Sequence, residues 1–196
     1  MLDKKNYRPI SVLPCISKVF EGLLIDQIRV FFEQFLSPHI SGFRKGYSCQ
    51  NVLLRFVEIC KSKLDNKQVY GTLLTDLSKA FDCLPHGLLI SKLHSYGVDR
   101  GSCRLIWSYF CGRMQRVIII GNSKSNWLEV KKGAPQGSLF GSFAYNLFTN
   151  DLLHKITDID LAELYNYADD NTVSCFGSDF LNVTKQTITS MWVTLF

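Results

Sequence analysis

The sequence predicts an α+β fold, and three observations carry that prediction. Apolar residues recur at helical spacing in two long segments near the start of the chain. Short apolar segments come in pairs around turn signals, as antiparallel hairpins require. Helices and strands do not alternate one for one, which argues against the βαβ units of a parallel sheet.

The elements follow in order. Residues 17–36 read as a helix, with Phe20, Leu24, Ile28, Phe31 and Phe35 at helical spacing and Pro38 after its end. A basic loop bracketed by glycines, Ser41-Gly42-Phe43-Arg44-Lys45-Gly46, leads to a second helix over 49–64. That helix sets Leu53, Phe56, Val57, Cys60 and Leu64 on one face. Asp65-Asn66-Lys67 is a turn, and 69–75 is a strand that delivers Asp76 at its end. Two shorter helices occupy 88–96 and 103–110. Residues 115–120 and 127–130 pair as strands around Gly121-Asn122-Ser123-Lys124. A helix over 139–153 starts from Gly133-Ala134-Pro135-Gln136-Gly137-Ser138. The last pair of strands, 161–167 and 172–176, forms a hairpin with Asp169-Asp170 at its turn.

Composition sets the outer bounds. With 196 residues, 46% of them hydrophobic, the chain can bury a core, and disorder or collagen-like repetition is excluded. The net charge of +5 is compatible with a polyanionic partner without identifying one. A mean hydropathy of +0.05 suggests that some apolar surface meets something outside this chain. No apolar run approaches the ~18–20 residues of a membrane span, and the first residues lack the apolar core of a signal peptide. The seven cysteines show neither disulfide-framework nor zinc spacing, so they read as mostly buried thiols of a reducing compartment. The expected location is intracellular, with nucleus and cytoplasm both open.

Three places carry chemistry. Asp76, in Thr75-Asp76-Leu77-Ser78-Lys79-Ala80-Phe81-Asp82, ends an apolar strand, where an unpaired carboxylate is costly and a cation or donors must meet it. Alone, it reads better as a helix N-cap. Tyr167-Ala168-Asp169-Asp170 sets two carboxylates side by side, tolerated where solvent or a divalent cation neutralises them, although aspartate is also an ordinary turn residue. If the two sites meet, they form an open oxygen site of the kind magnesium accepts with substrate phosphates and water. The run Gly133 to Ser138 fixes a tight backbone at a helix start, where free N–H groups face a phosphate or a base pair; a plain helix start capped by Ser138 is the simpler account.

As an ordered set, these segments resemble the reverse transcriptases of non-LTR (LINE-type) retrotransposons. Asn6-Tyr7-Arg8-Pro9-Ile10-Ser11 is similar to the family's opening motif, and Ser41 to Gly46 to its second fingers motif. Asp76 to Asp82, Gly133 to Ser138 and Tyr167 to Asp170 are similar to palm motifs A, B and C. The resemblance implies a right-hand polymerase, with fingers at about 1–66 and 86–132, and an antiparallel palm with packed helices at about 67–85 and 133–196. It implies catalysis by Asp76, Asp169 and Asp170, which with the carbonyl of Leu77 would hold two magnesium ions, manganese being a substitute. It places Arg8, Arg44, Lys45, Leu77, Phe81, Gln136 and Gly137 at the incoming nucleotide, and Tyr167 and Ala168 near the primer end. Phe81 matches the position that screens the nucleotide sugar and so selects deoxynucleotides. The implied reaction is RNA-templated transfer of deoxynucleotides from their triphosphates to a DNA primer 3′-hydroxyl, with release of pyrophosphate. The implied partners are RNA template, DNA primer and deoxynucleoside triphosphates, with no membrane.

The chain departs from the pattern in two respects. Ser142 stands where the family usually has proline, which bears on the helix start. The family continues past motif C into a thumb and often carries an upstream endonuclease segment, so this chain reads as truncated before the thumb, with residues 187–196 beginning the next helix. The alternatives are an inactive retroelement fragment that binds nucleic acid weakly at most, and, ranked lower, another two-metal palm enzyme such as a nucleotide cyclase. Trp107, Tyr109, Trp127 and Tyr145 are candidates to stack on bases, although such aromatics more often form core. Lys131 and Lys132 are candidates to meet nucleic-acid phosphates or simply mark an exposed strand end. His86 reads as structural.

Overall fold

The computed structural model describes residues 10–76, 80–119, 123–157 and 162–195, with the backbone alone for Asp76, 155–157 and 190–195. The chain divides into two compact units, Met1–Phe31 with Lys79–Phe148, and Phe32–Ser78 with Thr149–Phe196. This division is by packing. The fingers and palm expected from the sequence are a division by role, and each unit takes residues from both.

The first unit is built on α1 (Cys15–Phe32), α3 (His86–Ser95), α4 (Arg100–Phe110) and the first half of α5 (Leu139–Thr157). The sequence pattern sets the buried face of α1 at Phe20, Leu24, Ile28 and Phe31. The buried positions are instead Glu21 and Ile25, continuing to Phe32 at the helix end, while Phe20 and Phe31 are exposed. The face is thus rotated by one residue, because a buried glutamate interrupts the apolar pattern. α4 starts at an Asp99 cap whose carboxylate accepts from the Ser102 hydroxyl and from the amides of Ser102 and Gly101, and those bonds, the hydroxyl's first, lower its pKa. Leu89 and Leu93 of α3 and Ile106 and Phe110 of α4 are buried with Phe140 of α5. His86 stacks on Phe110 at 4.6 Å and bonds the Gly133 carbonyl at 2.8 Å, the structural role read from the sequence.

The expected strands after α4 form a shorter ladder, β2 (Met114–Gln115) with β3 (Leu128–Glu129), extended by an Ile118–Lys124 bridge. Ile120, Gly121 and Asn122 lie outside the described residues. α5 starts where expected although Ser142 replaces the usual proline, because the Ser138 hydroxyl accepts from the Gly141 amide at 2.9 Å and caps it.

The second unit is an antiparallel sheet in the order β1 (Val69–Asp76), β5 (Asp170–Gly177), β4 (Ala162–Tyr167), with a helix on each face. Alternation along β1 separates the faces. Tyr70 meets Phe56 of α2 (Cys49–Asp65), which also packs on Tyr165 of β4. Gly71, the next residue, meets α6 (Phe180–Leu195) on the other face, where an added Cβ would fall 2.8 Å from a Val183 methyl. Leu53, Val57 and Leu64, expected to share the face of α2 with Phe56, are exposed. α6 begins earlier than the expected 187 because Asp179 caps it, its carboxylate accepting from the Asn182 amide at 2.9 Å. Cys103 and Cys175 are buried, but Cys15, Cys49, Cys83 and Cys111 are exposed, against the expectation of mostly buried thiols; none of the seven is in a disulfide. No helix among the described residues is long and apolar enough to cross a membrane.

The close approach at Gly71 gives a stability test. Gly71→Ala drives a methyl into the stiff, β-branched Val183 and is expected to cost about 1–3 kcal/mol in urea unfolding. Adding Val183→Ala recovers part of the Gly71→Ala loss, and simple additivity of the two costs would contradict this packing.

Candidate active site

The register of the second unit's sheet assembles the acidic motifs. β1 and β5 pair from Val69↔Gly177 to Asp76↔Asp170, and β4 pairs Tyr167 with Asp170. Asp76, Asp170 and Tyr167 therefore form one cross-strand row at the end of the sheet. Like charges directly opposite are unfavourable unless solvent or a cation neutralises them. α2 covers the other end of this face; Leu74, two residues before Asp76, is 76% exposed.

The sequence reading puts both aspartates at the turn. Instead, the turn is Ala168-Asp169, and Asp170 is already the first residue of β5. Ala168 has φ +59°, a left-handed conformation that costs a residue with a Cβ about 1–2 kcal/mol. Two buried asparagines hold it. Asn166 donates through Nδ2 to the Ala168 carbonyl and to Asn171 Oδ1, both at 2.9 Å, and Asn171 donates to the Asp169 carbonyl at 3.3 Å. Ile40 bridges Asn166 in parallel, so the basic loop runs along the edge of β4. Gly42 lies so close that a Cβ there would fall 2.2 Å from the Ala168 nitrogen. The result is a fixed turn with Asp169 half-buried and Asp170 and Tyr167 exposed.

In the same loop, Arg44 is 8% exposed and heavily engaged. It bonds Glu33 through Nε at 2.7 Å, the Ser37 carbonyl at 3.0 Å, and lies 4.5 Å over the Tyr47 ring. Lys45 beside it is exposed. Arg8 and Leu77 lie outside the described residues.

Phe81, Gln136 and Gly137 belong to the first unit. The loop before α5 is zipped to the turn that carries Phe81: the Ala134 amide donates to the Phe81 carbonyl and the Gly133 amide to the Leu84 carbonyl, both at 2.8 Å. Gly133, at φ +88°, admits this approach, since a Cβ would meet the Asp82 backbone at 2.7 Å. Gln136 donates to the Asp82 carboxylate at 3.1 Å. The Phe81 ring lies 4.6 Å from that of Tyr145, which is buried. Tyr145 is thus core, Tyr109 is half-buried, and Trp107 and Trp127 are exposed.

Three residues escaped the sequence reading. Asn166 and Asn171 flank the acidic pair with nothing in their type to mark them. Glu21 is fully buried; its carboxylate accepts from the Leu139 amide at 2.8 Å, at the start of α5, and from the Tyr109 hydroxyl. Burial and that carboxylate push the Tyr109 hydroxyl pKa up. The available signal was a charge four residues before Ile25, on what proves to be the buried stripe.

Residues 2–192 match the family model described as reverse transcriptase (RNA-dependent DNA polymerase). The chain belongs to that family, on its non-LTR retrotransposon side. It is 32% identical to the probable RNA-directed DNA polymerase from transposon BS of Drosophila melanogaster, over 85% of this chain and 19% of that one. It is 34% identical to the probable RNA-directed DNA polymerase from transposon X-element of the same species and 32% identical to the RNA-directed DNA polymerase from mobile element jockey of Drosophila funebris, each over 88% of this chain and 19% of the relative. The chain thus spans about a fifth of the length of these relatives.

Glu21 offers a test of how the start of α5 is held. Glu21→Ala strands the Leu139 amide, at a cost of about 1–3 kcal/mol from that group alone. Glu21→Gln keeps a carbonyl acceptor and is expected to cost less in the same urea titration. Equal losses would show that the acceptor is not what matters.

Proposed function

We propose that this chain carries the catalytic core of an RNA-directed DNA polymerase, with fingers and palm divided as the sequence motifs suggest. The observation that carries the reading is the row Asp76–Asp170–Tyr167, with Asp169 fixed beside it in a braced turn. The donor set suits hard divalent cations: carboxylates only, at an open sheet end, with no thiol or imidazole competing in the row. Asp76, Asp169 and Asp170 would hold the metal, with Leu77 adding a carbonyl. When bound, magnesium or manganese would neutralise the triphosphate and favour the deprotonated primer hydroxyl.

The remaining roles fall to the chain's own groups. Phe81 acts as the sugar screen, and its packing on Tyr145 keeps the ring from turning aside for a 2′-hydroxyl. Asp82 holds the Gln136 amide, which meets the nascent base pair, and Gly137 at φ +100° shapes the same loop. Lys45 is the exposed cation for the phosphates; Arg44 serves them only after releasing Glu33, and otherwise stiffens the loop. Tyr167 and Ala168 face the primer end. Sequence is read by base pairing and the protein positions the backbone. The RNA template, DNA primer and a thumb supplied elsewhere in a longer product complete the polymerase.

Primer extension on an RNA template with magnesium and deoxynucleotides tests this reading. Asp169→Ala is expected to reduce extension to background. Wild-type extension no greater than that of the variant would favour an inactive fragment. Phe81→Ala is expected to raise ribonucleotide incorporation at least tenfold relative to deoxynucleotides, about the 1.4 kcal/mol that one order of magnitude represents; unchanged discrimination would remove Phe81 from that role.

A further inference from the structure

The stretch Arg113 to Lys132 holds five cations, Arg113, Arg116, Lys124, Lys131 and Lys132, against one carboxylate, Glu129. It therefore carries +4 of the chain's net +5 in 20 residues. Its described residues, 113–119 and 123–132, carry the β2–β3 ladder. Its backbone closes through the Val130 amide to the Arg113 carbonyl at 2.8 Å and the Ser125 amide to the Val117 carbonyl at 2.9 Å. Every described residue from Met114 to Ile119 and from Ser123 to Glu129 is exposed. A two-stranded hairpin that packs neither face is marginal in water, and this one leaves Val117, Ile118, Trp127 and Leu128 uncovered.

The kind of surface it needs is set by its chemistry. Arg116 stacks over the Trp127 ring at 4.6 Å, and Arg113 over Tyr109 at 5.0 Å. Each pair keeps a planar cation against a π face, and Lys124, Lys131 and Lys132 of the same stretch are exposed. The Arg44–Glu33 and Arg55–Glu163 ion pairs lie elsewhere. A ligand that neutralises several cations and also offers flat apolar faces is a single nucleic-acid strand with unpaired bases. A duplex hides those faces. A neutral protein surface would cover the apolar residues but leave the dense positive charge unanswered.

We propose that the β2–β3 ladder, through its described residues 113–119 and 123–132, is a docking arm for single-stranded nucleic acid, with Trp127 as the stacking platform and the lysines along the phosphates. That the strand is the template rests on the polymerase reading; the binding itself does not.

The test is fluorescence anisotropy of the full chain with a labelled polyuridine RNA of about 20 nucleotides, across about 50 to 300 mM potassium chloride. The Lys124→Gln, Lys131→Gln, Lys132→Gln triple variant is expected to flatten the slope of log K against log salt by about 2, at ~0.7 for each phosphate no longer neutralised. Trp127→Ala is expected to weaken binding about five- to 150-fold with the slope unchanged. A control triple, Lys61→Gln, Lys67→Gln, Lys185→Gln, is expected to leave the slope as it is. The anisotropy assay needs neither magnesium nor nucleotide, so a failed polymerase reading and a failed arm give different results. An unchanged slope in the hairpin triple overturns the proposal. So does loss of binding to phosphatidylserine vesicles, rather than to RNA, in that variant.

Discussion

Eight consecutive residue pairs tie β1 to β5, and the last of them sets Asp76 across from Asp170. The candidate site depends on this register. A slip of one residue would move every side chain of β1 to the other face and set Asp76 opposite Asn171 or beyond the strand. Several features oppose such a slip. Tyr70 meets Phe56 on one face while Gly71 makes room for Val183 on the other, and Thr72 bonds Ser174 across the ladder at 3.2 Å. None of these residues has any chemistry to perform. Their contribution is to place two carboxylate residues, from points far apart in sequence, side by side.

The turn beyond that pair carries a local strain that its surroundings hold in place. Ala168 adopts a backbone conformation that glycine would take more cheaply, and the Asn166–Asn171 pair with the Gly42 loop keeps it there. Asp169 is thereby presented by a rigid tip. Electrostatic catalysis draws its effect from such preorganisation, since groups already in place need no reorganisation during reaction. The first unit shows the same economy. Glu21 anchors the start of α5, and the Gly133–Ala134 backbone is bonded to the turn bearing Phe81.

Much of this was legible in the sequence, for identifiable reasons. Elements with strong periodicity or turn signals, such as β1, the β4–β5 hairpin and α5, fall close to where the pattern puts them. The acidic row was legible as a resemblance of motifs in order, but no spacing rule could bring Asp76 to Asp170, because sheet pairing between distant strands leaves no local trace. The buried face of α1 was misread for a physical reason. Glu21 is fully buried with its own hydrogen-bond partners, so the true stripe contains a charge and the pattern of apolar residues alone points one residue away. Three of the five residues expected on α2's inner face are exposed, and Phe56 is the one that meets the sheet's aromatic residues. The packing of Arg44 was likewise hidden, since its bonds to Glu33 and two carbonyls leave no mark in the sequence.

Manganese titration followed by amide resonances of the isotope-labelled chain tests the proposed metal site at the acidic row most directly. Paramagnetic broadening is predicted to begin at Asp76, Asp169 and Asp170 and to fade along β1 and β5 away from that end, and Asp169→Ala should sharply weaken it. Broadening centred on other carboxylates, such as Glu33 or Asp179, or spread evenly over the surface would contradict the assignment of this sheet end as the metal site.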